Sequence, residues 1–278
     1  IVKVHVHTLK PGNALNIAQR FGEFVKLKIE NMQEQADTIQ SNAGTIVGVD
    51  DNAKPKREAK ETAVISVCAG DGLKDAFLEL HCDYVVSGGQ TMNPSAEDMV
   101  QAVRDVNAKN VIILPNNSNI VMTAQQTATI LEDEVNVIVI PTKTIPQGLS
   151  ACIMFNPDAS LDDNVAEMTE AVGNVKTGQV TFAIKDTNID GVEIKANDYM
   201  ALVEKDIVAC KDNKLKALKV VLEKLVDEDA ELITLIYGED VNDDDIEEIE
   251  SFVEDNFEAE LEVVNGKQPV YSFIVGVE

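Results

Sequence analysis

The chain has 278 residues, 45% of them hydrophobic, which is enough for a large core or two domains and places it in the globular class. Its 23 Lys and Arg against 49 Asp and Glu leave a formal net charge of −26. A surface that acidic repels DNA and RNA, and no basic patch offsets it, so nucleic acid is excluded and a cationic or neutral partner is favoured.

The chain opens on Ile1-Val2-Lys3-Val4, without methionine and directly in a strand pattern, which reads as a piece of something longer whose function is shared with an upstream part. Val2, Val4 and Val6 alternate with Lys3, His5 and His7 at the period of a half-buried strand. After Pro11-Gly12, a helix over 14–21 carries Ala14, Ile17, Ala18 and Phe21 on one stripe, and residues 25–29 alternate again. This partial α+β segment, 1–32, is too small to be a complete domain. Residues 33–61 are polar, with Gly44, Gly48, Pro55 and a cluster of Lys and Arg, and read as a linker.

The remainder reads as a two-lobed α/β domain with parallel or mixed sheets flanked by helices, lobe 1 over 62–175 and lobe 2 over 176–278. Lobe 1 has strands near 63–68, 83–86, 110–114 and 135–140, and helices near 71–81, 95–107, 119–131 and 161–172. Ser95-Ala96-Glu97-Asp98 forms a capping box ahead of a buried stripe of Met99, Val100, Val103 and Val106. In lobe 2, runs at 180–184 and 192–194 flank Asn188-Ile189-Asp190-Gly191, a hairpin-turn signal. Strands near 206–210, 231–237, 260–264 and 270–276 then alternate with helices near 213–225 and 244–255.

Cys68, Cys82, Cys152 and Cys210 are widely spaced without a C-x-x-C pair and read as reduced core thiols. No apolar stretch reaches the roughly 20 residues a membrane helix needs, and no signal-peptide pattern opens the chain, so a cytoplasmic location without a membrane span is expected. Nucleotide, hydrolase-elbow and zinc-protease motifs are missing. The acidic run from Asp240 imitates a calcium loop, but its sixth position is Asp245 and its twelfth Ser251, which favours an acidic helix start. His81, beside Cys82, reads as a helix C-terminal cap.

Three loops share one design. Residues 85–86 lead into Ser87-Gly88-Gly89-Gln90-Thr91-Met92-Asn93-Pro94-Ser95, residues 111–114 into Pro115-Asn116-Asn117-Ser118-Asn119, and residues 135–140 into Pro141-Thr142-Lys143-Thr144-Ile145-Pro146-Gln147-Gly148. In a parallel sheet such loops leave at one edge, where ligands or partners dock. Their amides and hydroxyls suit hydrogen bonding to a phosphate, carboxylate or protein loop and offer no evident nucleophile or general base. The other reading is turn chemistry alone, with Gly and Pro forming turns and Asn capping helices. His5 and His7, two apart on a strand, point the same way and could grip one metal or phosphoryl group, or simply face solvent on an edge strand.

Val4-His5-Val6-His7-Thr8 with Pro11-Gly12 and Asn31-Met32-Gln33-Glu34-Gln35 resembles the middle segment of the ATP-binding subunit of bacterial fatty acid kinase, a dihydroxyacetone kinase-like family. The strings at 88–95, 114–117 and 141–148 resemble its C-terminal domain, and the resemblance spans essentially the whole chain. It implies a parent protein whose N-terminal domain, not represented here, binds ATP and magnesium and phosphorylates a fatty acid carboxylate presented by a DegV-type partner. On that footing this piece alone is inert.

The resemblance also makes His5 and His7 candidates for catalysis or for zinc, together with an upstream cysteine, although no cysteine precedes Cys68. The C-terminal domain resembles DegV-type binders, with 91–95 where they carry a Thr-Ser-x-Pro-Ser loop and with Met92 in place of its first Ser. The implied partner-binding residues are Gly88, Gly89, Gln90, Thr91, Asn93 and Ser95, then Asn116 and Asn117, then Thr142, Lys143 and Gln147. Two further roles stay open: an acyl-chain or small-anion binder between the lobes, and a structural part that forms a homodimer through the middle segment.

Overall fold

The computed structural model describes residues 15, 17–22, 60–90 and 93–278, in two compact units, Ile1–Pro55 and Lys56–Glu278. In the first unit Leu15, Ile17 and Ala18 are helical and Gln19–Phe21 forms one 3₁₀ turn, within the helix expected over 14–21. Ile17 and Phe21, expected on an apolar stripe, are exposed. The strands expected at 2–6 and 25–29, with His5 and His7, lie outside the described residues.

The second unit begins with β1 (Lys60–Cys68), whose run Ala63-Val64-Ile65-Ser66-Val67-Cys68 is buried on both faces. Such a run suits the middle of a parallel sheet covered on both sides. It is flanked by β2 (Tyr84–Ser87) and β3 (Ala108–Leu114), and β4 (Asn136–Val139) completes the order β2-β1-β3-β4, parallel throughout. The connecting helices are α1 (Asp71–Glu79), α2 (Ala96–Val106) and α3 (Ser118–Ile130), followed by α4 (Ile145–Met154) and α5 (Leu161–Asn174).

The helix ends follow local chemistry. At α2 the Ser95 hydroxyl accepts from the Asp98 amide while the Asp98 carboxylate accepts from the Ser95 amide, as the capping box requires. α1 ends as a Schellman motif, in which His81 takes φ 65° and the Cys82 amide reaches back to the Phe77 carbonyl.

The other sheet has the order β11-β10-β12-β5-β8-β9. Its strands are β5 (Lys176–Phe182), β8 (Tyr199–Val203), β9 (Asp206–Lys211), β10 (Leu232–Tyr237), β11 (Glu260–Asn265) and β12 (Tyr271–Val277). Only β10 and β11 pair parallel. α6 (Lys214–Leu225) and α7 (Asp243–Asn256) cover one face. At α7 the acidic start is a capping box of Asn242 and Asp245, so Asp245 holds a helix amide where the calcium-loop imitation has its sixth position.

Three departures from expectation stand out. The Asp190-Gly191 turn joins β6 (Thr187–Ile189) to β7 (Val192–Ile194), not the run at 180–184, whose residues 180–182 end β5 in the large sheet. β8 has no counterpart among the expected strands. α4 starts inside the stretch that reads as loop.

Five layers result. α2 and α3 pack on one face of the small sheet through Met99, Val103 and Ile120. α1, α4 and α5 pack on its other face through Phe77, Cys152 and Met168, and this core continues into Ile236 and Ile274 of the large sheet. Cys68, Cys82 and Cys152 are buried in it as free thiols; burial pushes the Cys68 thiol up to about 12. The layers lock where backbone meets backbone: the Leu73 amide donates to the Gly266 carbonyl at 3.0 Å, and a Cβ at Gly72 would lie 1.8 Å from the Asn265 carbonyl oxygen. Gly70 adds φ 116°, a conformation open to glycine.

Gly72→Ala should therefore lower stability by about 1–3 kcal/mol through overpacking. Gly173→Ala, in α5 with open space around the new methyl group, should raise it by about 0.4–1 kcal/mol. Urea unfolding midpoints of the two variants check both signs.

Candidate functional site

Because β1 to β4 run parallel, the three polar loops leave at the same edge. β2 lies on one side of β1 and β3 on the other, so the winding reverses between β1 and β3 and opens a crevice at their C-terminal ends. Asn116 fills it. At φ 55° the residue turns its amide group inward, where Nδ2 donates to the Ser66 hydroxyl at 2.7 Å and to the Val67 carbonyl at 3.0 Å. The Thr142 hydroxyl accepts from the Asn116 backbone amide at 2.9 Å and donates to Asn116 Oδ1 at 2.8 Å. A Cβ at Gly148 would lie 2.1 Å from that same oxygen, so α4 can approach only with glycine there.

Outside this buried node the loops interlock. Asn117 Nδ2 donates to Gln90 Oε1 at 3.1 Å, and Asn117 Oδ1 accepts the Asn119 amide, capping α3. The Lys143 amide donates to Gln147 Oε1 at 2.8 Å. Thr144 and Thr177 share a hydroxyl contact of 2.9 Å that ties this edge to β5.

The eleven residues expected to bind a partner therefore divide. Gln90, Asn93, Ser95 and Lys143 are exposed, and Gly89, Asn117 and Gln147 half-buried. Gly88, Asn116 and Thr142 are buried, so they position the loops and present nothing outward. Thr91, with Met92, lies outside the described residues. Lys143 is the one charged residue in the loops 87–95, 115–117 and 141–144. α3 and α4 also lack acidic residues in their first turns, unlike α2, α5 and α7. Sequence reasoning missed Ser66, the anchor of Asn116; its signal was a lone hydroxyl within a wholly apolar run.

A second concavity lies between the lobes, a groove of 960 Å³ between α1 and α4, floored by β10 and β11 and flanked by α5. Six carboxylates line it, those of Asp75, Glu79, Glu167, Glu170, Glu262 and Glu278, against one cation, Lys267. Burial, with help from Glu262, raises the Glu278 carboxyl above its ordinary value, while a contact from the Ser150 hydroxyl acts the other way.

The histidine pair proposed for catalysis and zinc lies outside the described residues, and among the described residues no group of three or more His, Cys, Asp or Glu could hold a metal ion. Nor, among them, is any helix long and apolar enough to cross a membrane.

Two family models match the chain: the C-terminal domain of FakA-like fatty acid kinase proteins over residues 63–278, and their middle domain over residues 1–39. Protein YloV of Bacillus subtilis is 45% identical over 279 residues, covering 100% of this chain and 49% of that protein. An uncharacterized protein of Staphylococcus aureus USA300 is 42% identical over 280 residues, covering 100% and 50%. The chain thus spans about half the length of the curated relatives it matches.

Among solved structures, a Thermotoga maritima protein described as revealing fatty acid binding function superposes with a TM-score of 0.57 at 12% identity, over 79% of this chain and 99% of that one. The dihydroxyacetone kinase of C. freundii gives 0.56 at 12%, over 91% and 57%. At these identities the likeness is one of fold.

Asn116→Ala strips the buried Ser66 hydroxyl and Val67 carbonyl of their donor and should cost about 1–3 kcal/mol. Thr142→Val should cost a similar amount. Gln90→Ala and Asn93→Ala, on exposed side chains, should stay within about 0.5 kcal/mol of the parent. Urea denaturation separates the two groups.

Proposed function

We propose that this chain, which belongs to the FakA-like fatty acid kinase family, docks an acyl-carrying DegV-type protein so that an ATP-binding domain outside these 278 residues can phosphorylate the fatty acid carboxylate. In that reaction a carboxylate oxygen attacks the γ-phosphorus of ATP, the bond to the ADP oxygen breaks, and an acyl phosphate and ADP leave. Magnesium at the ATP domain would neutralise charge on the phosphates. The residues described here take no covalent part; their task is to hold the acyl group's carrier in register, which is how positioning contributes to rate. His5 and His7 are proposed as the contribution of the middle segment, to proton handling or to a zinc site.

The observation that carries the docking role is the interlocked loop edge. It is polar, almost free of charge in a chain of net charge −26, and held rigid from beneath by Asn116. Rigid hydrogen-bonding groups lose little entropy on binding, whereas loose ones must be ordered first. Lys143 supplies a single point of attraction for an acidic group on the carrier.

The second reading, a lipid held between the lobes, has the fold likeness to a fatty-acid-binding protein in its favour. The groove lining opposes it: a fatty acid carboxylate would enter among six carboxylates and one lysine.

Immobilised chain should retain a DegV-type fatty-acid-binding protein of the same cell, and the triple change Gln90→Ala, Asn93→Ala, Lys143→Ala should weaken retention about tenfold or more. No retention by the parent chain would overturn the docking role. In the full-length protein, ATP consumption should require both fatty acid and carrier, and His5→Ala or His7→Ala should reduce turnover about 100-fold, the scale of a lost acid or base. Unchanged turnover in both variants would remove the histidines from the mechanism.

A further inference from the structure

The groove between α1 and α4 has three properties that together narrow its occupant. Its charge is one-sided, since six carboxylates face one lysine and none of the six enters an ion pair among the described residues. It is also apolar in part: Leu149 lies in its wall, and Ile153 and Met154 of α4 stand 58% and 41% exposed along it. Finally, at 960 Å³ it has room for a short segment of polypeptide. Two turns of an α-helix about 11 Å across displace on the order of 1,000 Å³.

We propose that this groove is the docking site for a basic amphipathic helix of a protein partner, the apolar face seated on Leu149, Ile153 and Met154 and the flanking Lys or Arg reaching the carboxylates of α1 and α5. Asp75 and Glu79 sit one turn apart on α1, and Glu167 and Glu170 one turn apart on α5, so two acidic ladders border the apolar strip. Residues at i, i+3, i+4 and i+7 of an entering helix would face the strip, with cations on both flanks. Alternative occupants fit less well. A fatty acid has the wrong charge, and a polyamine would satisfy the carboxylates while leaving Ile153 and Met154 in water. This site is separate from the loop edge, and its occupancy does not depend on the docking role given to that edge.

The test uses the whole chain and a synthetic amphipathic helix of about 14 Leu and Lys residues, short enough to be largely unfolded when free. Titration followed by fluorescence anisotropy and circular dichroism should show the peptide binding and becoming helical, about tenfold tighter than a scrambled peptide of the same composition. The double variant Glu167→Gln, Glu170→Gln and the single variant Ile153→Asp should each weaken binding about five- to tenfold. Glu247→Gln with Glu250→Gln, on the exposed side of α7 and away from the groove, should leave it unchanged. Equal binding of the scrambled peptide, or equal weakening by the α7 pair, would reduce the effect to net charge and overturn the proposal. So would displacement of the peptide by sodium oleate or by spermine at lower concentration than the peptide itself requires.

Discussion

One buried asparagine organises the upper edge of the small sheet. Asn116 is 5% exposed, and each of its polar groups that faces inward has a partner supplied by another element: β1 through Ser66 and Val67, the loop after β4 through Thr142. A buried amide left unpaired costs more than a paired one contributes, so the network holds all of its members or fails together. It also dictates neighbours it does not bond. The left-handed backbone at 116 suits Asn better than most residues, and α4 must carry Gly148 where it presses on the amide.

Charge is distributed over this body in opposite senses. α2 and α7 open with acidic residues in capping boxes, where the negative charge complements the helix dipole. At the loop edge the pattern stops: α3 and α4 begin without a carboxylate, and Lys143 stands alone among amides and hydroxyls. In the groove it is exaggerated, with carboxylates from α1, α5, β11 and the end of β12 converging. The two surfaces therefore select for different chemistry, hydrogen bonding and a weak pull on anions at one, strong attraction for cations at the other. Both keep a fixed shape, because the layers between them meet through Gly70, Gly72 and the carbonyls of Asn265 and Gly266.

Much of this architecture is written in local pattern. β1 and β3 are readable as apolar runs ended by Gly or Pro, and Ser95 and Asp98 announce α2 because their bonds span only three residues. What escapes such reading depends on distant partners. α4 is concealed by Pro146, Gly148 and Ser150, poor helix formers, of which Gly148 is required because the Asn116 amide leaves no room for a side chain there. β8, only five residues long, is a strand by virtue of its pairing with β5 and β9. The Asp190-Gly191 turn is evident but its partner strand is not, since two runs compete for β7 and the nearer, Thr187–Ile189, is less apolar. For the site, the polar loops are visible in sequence, whereas the division into buried supports and outward groups requires the sheet order. The groove has no sequence signature, being assembled from residues near 72–80, 146–174 and 232–278.

The central core has a further meaning. Phe77, Cys152 and Met168 of one lobe share a continuous apolar interior with Ile236 and Ile274 of the other. Each lobe has a core of its own beside it, but the central one is closed only by the two together, so there each is the lid of its neighbour. A chain severed between α5 and β5 would leave two halves with bare oily flanks, prone to clump, and during synthesis the earlier half must wait, unsealed, until the last strand emerges.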